Sequence, residues 1–138
     1  MPYLHIQISG PPDDALAQRV ASVASELTHR LLAKDPALTA VAIDFVPASQ
    51  WFIAGQRLGA GLPRSYHWTV SITDETNTKA EKARYLAAVH QAMDELLGGA
   101  AEHSYTHVVD ARASAYGYGG RTQEWRYQHS APVMPTPV

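Results

Sequence analysis

The sequence predicts an α+β fold of the two-layer α/β kind: a duplicated βαβ unit whose four-stranded sheet carries two helices on one face. Three observations predict it. Stretches with period-two alternation open and close each half of the chain, a helical stripe separates them in both halves, and residues of the first half recur in the second 65 positions later.

Tyr3 to Ile8 alternates strictly, with Leu4, Ile6 and Ile8 facing one way and Tyr3, His5 and Gln7 the other, as a half-buried strand requires. Gly10, Pro11 and Pro12 break it, and Asp13 offers a cap to a helix. Leu16, Val20, Val23, Leu27 and Leu31 then recur at helical spacing to about Lys34, giving one apolar face. After Asp35-Pro36, Val41, Ile43 and Phe45 alternate against Ala40, Ala42 and Asp44 until Pro47, a second strand. From His67 the order begins again. Trp68, Val70 and Ile72 form an apolar face opposite His67, Thr69 and Ser71. Thr78 to Glu81 has capping-box spacing, Leu86, Val89, Met93 and Leu97 carry the second stripe, and Gly98-Gly99 suits a left-handed helix end. Tyr105 to Asp110 is the closing strand.

The string Ala113 to Gly120 answers Ala48 to Gly55, as Leu97 answers Leu32 and Arg84 answers Arg19. A crossover helix must join each pair of parallel strands, so two units make one sheet with both helices on one side. The other face is expected to carry apolar or aromatic residues and to be buried between subunits, most plausibly of a trimer. A single domain is expected over 1–128, with units of about 2–58 and 66–123, followed by an extended or disordered tail over 129–138.

Hydrophobic residues make up 46% and charged residues 17% of the 138, as in an ordinary globular chain, and the net charge of -2 disfavours nucleic acid as a partner. Cysteine is absent, which excludes disulfides, thiolate metal sites and a cysteine nucleophile. His5, His67, His90, His103 and His129 show no ligand spacing, so no metal is expected. The start has no basic leader followed by an apolar stretch and no 18-residue apolar run occurs, so the expected place is the cytoplasm, with no membrane partner.

Met1-Pro2 leading straight into a strand, the Tyr116-Gly117-Tyr118-Gly119-Gly120 string, and the order Lys34, Pro36, Ala40-Val41, Ser71-Ile72 and Tyr105 to Asp110 together resemble the tautomerase superfamily. The glycine-rich string is similar to FGIGG of 4-oxalocrotonate tautomerase. The other positions are similar to those of macrophage migration inhibitory factor. The resemblance covers roughly positions 2 to 120 and implies a trimer with active sites near each N-terminus, completed by a neighbouring chain.

It also implies a chemistry. Removal of Met1 would leave Pro2 as a secondary amine, and an α-amino group, with a pKa of about 7.7 to 8.0, becomes a usable base at neutral pH when desolvated beside a wall such as Ile72. The proline ring holds that nitrogen in one direction. Tyr105 and His107 of the adjacent subunit are the implied donors to the enolate oxygen. A substrate carboxylate would be held by Lys34, or by Arg112 or Arg121, which flank the hairpin. Trp51, Tyr116 and Tyr118 line a pocket or pack between subunits, two of the three being assigned to packing.

The function expected is a cofactor-independent keto-enol or double-bond tautomerase acting on a small 2-oxo acid or phenylpyruvate-like enol. Alternatives are a hydratase or decarboxylase using the same proline, or a catalytically silent trimeric binding protein. Departures from the pattern matter as well. Pro12 stands where 4-oxalocrotonate tautomerase has an arginine, which supports the silent binding protein, and Asp74 and Asn77 stand where cis-3-chloroacrylic acid dehalogenase has a pair of them, which disfavours dehalogenation.

Overall fold

The computed structural model describes residues 1–59 and 63–130. Among them the chain runs β1 (Tyr3–Ser9), α1 (Asp14–Leu32), β2 (Ala40–Val46), β3 (Phe52–Ile53), β4 (Gln56–Arg57), β5 (Tyr66–Thr73), α2 (Lys79–Leu97), β6 (Tyr105–Ala111), β7 (Gly117–Tyr118), β8 (Arg121–Thr122) and α3 (Gln123–His129).

The sheet order is β2-β1-β5-β6, with β1 parallel to β2, β5 parallel to β6 and β1 antiparallel to β5. Each parallel pair is bridged by a helix, and α1 and α2 pack against one another over the same sheet face. The two halves agree bond for bond. Tyr3 pairs with Ala40 as His67 pairs with Tyr105, and the amide of Gly10 donates to Val46 at 2.8 Å as that of Asp74 donates to Ala111 at 2.9 Å.

Alternation decides what is buried. Leu4, Ile6 and Ile8 of β1 and Trp68, Val70 and Ile72 of β5 are wholly excluded from solvent beneath Leu16, Val20 and Leu27 of α1 and Tyr85, Val89 and Met93 of α2. One polar knot crosses this core. The Tyr85 hydroxyl accepts from the Trp68 indole N–H at 3.0 Å and shares a hydrogen bond with the Thr28 hydroxyl at 2.9 Å, tying both helices to β5.

The helix ends obey their chemistry. Asp13 accepts from the Leu16 amide at 3.0 Å, Thr78 and Glu81 close a capping box, and Gly98 ends α2 at φ 68°. At the matching end of α1 the left-handed residue is Ala33, at φ 57°.

Two expectations are corrected. The uncovered sheet face is not chiefly apolar. It is mixed, presenting His5 and Gln7 from β1, Asp44 from β2, His67, Thr69 and Ser71 from β5 and His107 from β6, beside Ala40, Ala42, Val46 and Val109 and the rings of Tyr3 and Tyr105. The helix-covered face takes the leucine, isoleucine and tryptophan side chains and most of the valines, and period two leaves the rest, Val46 and Val109 included, to the other side. Secondly, Gln123–His129 forms a helix that the sequence pattern does not announce, capped by Thr122, whose hydroxyl accepts from the Trp125 amide at 2.9 Å. The extended tail expected from 129 thus begins in the last residue of α3, and from 131 it lies outside the described residues.

Candidate active site

Pro2 heads the second strand of the sheet, where parallel and antiparallel neighbours meet. Its carbonyl accepts from the Ala40 amide at 3.2 Å, and the residue is buried. The β1–β5 register, continued one residue beyond Tyr3 and Ser71, puts Ile72 level with Pro2. Ile72 is fully buried in the core, an apolar residue backing Pro2.

Lys34 reaches this corner because the left-handed Ala33 turns the chain out of α1. The Lys34 amide donates back to the Thr28 carbonyl at 3.3 Å, and Nζ donates to the Thr76 hydroxyl at 2.8 Å. Burial holds the Lys34 ammonium below the usual lysine pKa, while Glu81 and Asp110 pull it back up. The amino-terminal nitrogen of Met1 is likewise held below its ordinary value, by burial first and by the Lys34 charge second, with Asp35 opposing. An amine at this corner therefore sits where a proton is disfavoured.

Two further residues belong to the corner and were not singled out from sequence. Asp110 is level with Ile72 on β6, and its carboxylate accepts from Lys82 Nζ, in the first turn of α2, at 2.6 Å. The pair is separated by 28 positions, so no local pattern reveals it.

The hairpin β7–β8 comes to the same end of the sheet. Burial pushes the Tyr116 hydroxyl pKa up, opposed by the side chains of Gln123 and Thr73, and Thr73 directly follows Ile72. That hydroxyl is buried and has no hydrogen-bond partner among the described residues. Tyr116, Gly117 and Arg121 line a shallow 300 Å³ depression. A Cβ on Gly117 would collide with the Arg121 carbonyl, so only glycine lets the hairpin close. The Arg121 guanidinium lies over the Trp125 ring at 4.1 Å, and Arg112 is exposed just after β6.

Tyr105, Trp51 and His107 lie elsewhere. Tyr105 pairs with His67, which pairs with Gln7, five residues along β1 from Pro2. At that far end Trp51, Phe52, Ile53 and Ala54 face His67, His103 and Tyr105 across a 470 Å³ cavity. His107 stands at mid-sheet beside Thr69 on the uncovered face. The chain thus gathers Pro2, Lys34, Ile72 and Tyr116, with Arg112 and Arg121 nearby, at one end, and Tyr105 with Trp51 at the other. Among the described residues no three histidine or carboxylate side chains converge as metal ligands, and no helix is long and apolar enough to cross a membrane.

No protein-family model and no curated protein matches the chain. Among solved structures it is similar to a wild-type fused 4-OT described as a symmetric trimer, with TM-score 0.78 and 17% identity, over 89% of this chain and 97% of that one. It is similar also to Pt0534, solved after inactivation by 2-oxo-3-pentynoate, with TM-score 0.77 and 15% identity, over 88% and 97% of the two chains. A third similar structure is the macrophage migration inhibitory factor-like protein of Entamoeba histolytica, with TM-score 0.72 and 12% identity, over 88% and 97%. The chain has the fold of the tautomerase superfamily.

Proposed function

We propose that this chain is a cofactor-independent tautomerase in which Pro2, made amino-terminal by loss of Met1, is the general base. The observation that carries the reading is the corner itself. Pro2 is buried, fixed by its bond to Ala40, backed by Ile72 and placed beside a half-buried lysine, in an environment that already lowers the pKa of an amine. A neutral secondary amine with a fixed lone pair suits proton transfer next to a carbonyl.

In the proposed cycle the Pro2 nitrogen takes the enol proton of a 2-oxo acid and returns it to the adjacent carbon, leaving the ketone and the free amine. Lys34, oriented by Thr76, meets the carboxylate. The oxygen that carries developing charge needs a fixed donor, and Tyr105 or His107 of a neighbouring copy is assigned to it. Arg112 and Arg121 remain candidates for the carboxylate, Arg121 only after leaving its stack on Trp125. A homotrimer supplies the neighbouring copy, as in the fused 4-OT trimer.

The test is ketonisation of phenylenolpyruvate by protein whose amino terminus has been read by mass spectrometry. Pro2→Ala is expected to lower kcat/KM about a hundredfold, the lower end of what a positioned general base contributes. An unchanged rate in protein that begins at residue 2 refutes the role of Pro2.

A further inference from the structure

The uncovered face of the sheet holds its charge almost entirely in histidine. The register sets Asp44, Gln7, His67 and Tyr105 in one row across the four strands and Ala42, His5, Thr69 and His107 in the next. Among the strand residues of this face Asp44 is the one carboxylate, and no lysine or arginine stands with it. Tyr3, Tyr105 and Val109 leave large apolar groups exposed between these polar ones, which gives a further copy of the chain something to cover.

The three histidines differ in what they meet. His5 Nε2 lies 2.6 Å from the Asp44 carboxylate, so a proton there gains an ion pair within the copy. His67 lies between Gln7 Oε1 at 3.4 Å and the Thr69 hydroxyl at 3.2 Å, with Tyr105 beside it on β6 and His103 and the hairpin from Trp51 to Ala54 across the cavity. Arg57, over the Phe52 ring at 5.8 Å, adds a cation to that hairpin. His107 stands beside Thr69 on the edge strand β6. Asp44 is two strand spacings from His67 and three from His107, about 10 and 14 Å. A proton on His67 or His107 therefore meets no counter-charge among the described residues.

We infer that His67 and His107 are a pH-sensitive switch on assembly: the homotrimer closes on this face while they are neutral and separates when they take up protons. The inference rests on the homotrimer of the reading above and adds to it the groups that control its assembly.

Histidine is the side chain whose charge ordinarily changes between about pH 5 and 8. In a ring of three copies every residue recurs about the axis, so protons on both histidines of each copy set like charges against one another, while each Asp44 is already engaged by His5. Burial disfavours the charged form, so separate copies bind more protons than assembled ones, and acid favours separation. His5 is no part of the switch, because Asp44 matches its charge in the free copy and in the ring alike.

Sedimentation equilibrium of the full chain between about pH 8 and 5, with circular dichroism at each pH, tests this. The association constant of the wild type is expected to fall about tenfold or more per pH unit toward acid, the slope of at least one linked proton. Joint substitution His67→Gln and His107→Gln is expected to hold the constant within about twofold over the same range, and His5→Gln to keep the wild-type slope. Should the double variant not fold, His107→Gln decides alone, since its side chain is exposed in the single copy: a shallower slope supports the switch and an unchanged one overturns it. A wild-type constant that does not change with pH, or a double variant as steep as the wild type, overturns the switch and leaves the homotrimer standing. Ellipticity lost in step with association makes separation a consequence of unfolding and overturns it too. A chain that is monomeric at every pH removes the homotrimer, and the switch with it.

Discussion

Two individually damaged chains should repair one another if each site is shared between copies. Tyr105 lies about 17 Å from the level of Pro2 along the strands and two strand spacings of about 4.8 Å across them, beyond the reach of one tyrosine side chain within a single copy. Pro2→Ala removes the fixed base and Tyr105→Phe removes a donor to the developing oxyanion, losses of about a hundredfold or more each. In a cyclic trimer that holds both variants, each site draws Pro2 from one copy and Tyr105 from the next, so about one site in three receives both intact residues. Co-expressing the two variants with different affinity tags, isolating mixed trimers and assaying phenylenolpyruvate ketonisation should therefore give about a third of the wild-type rate, against about one per cent for either parent. A mixture no faster than the mean of its parents would refute the shared site, and with it the role given to Tyr105.

The same geometry sets other outcomes. Tyr85→Phe leaves the Trp68 indole N–H and the Thr28 hydroxyl buried without their shared partner, which should cost about 2 to 4 kcal/mol in urea unfolding; a change below about 0.5 kcal/mol would mean the knot contributes nothing. Lys34→Met removes a positive charge that lowers the pKa of the neighbouring amine, so that amine holds its proton to higher pH. The acid limb of the kcat/KM profile should move upward in pH while KM for a 2-oxo acid rises; a limb that stays put or moves down would separate Lys34 from the base. Gly117→Ala should spread the β7–β8 hairpin and lower activity without loss of the core, seen as amide shift changes confined to the neighbourhood of Tyr116; unperturbed shifts would contradict the collision.

The sheet and its two helices were legible because their signals are local. Leu4, Ile6 and Ile8 against Tyr3, His5 and Gln7 is a period a reader can count, and Thr78 with Glu81 marks a helix start within four residues. The duplication supplied topology by making the crossover rule apply twice. The parts of the corner that depend on register were hidden. Ile72 reads as an apolar wall from its alternation, but that it stands level with Pro2 follows only from the β1–β5 register. Asp110 and Lys82 meet only because β6 and the start of α2 end at the same height. The uncovered face was legible only in part, since aligning the strands sets His5, His67 and His107 among Tyr3, Tyr105 and Val109. Helix α3 was missed for another reason. Seven residues cannot show a stripe, and its ties, Arg126 over Tyr118 at 3.6 Å and Arg121 over Trp125, bring in the preceding hairpin.

The claim beneath all of this is that the nitrogen of Pro2 is a free amine, neutral at physiological pH. Titration of protein carrying ¹⁵N-proline, monitored by the shift of that one nitrogen, measures it directly. The account requires a secondary-amine signal with a pKa below the range of about 7.7 to 8.0 found for unperturbed α-amino groups. A signal that behaves as an amide, or an amine that titrates within or above that range, would contradict it.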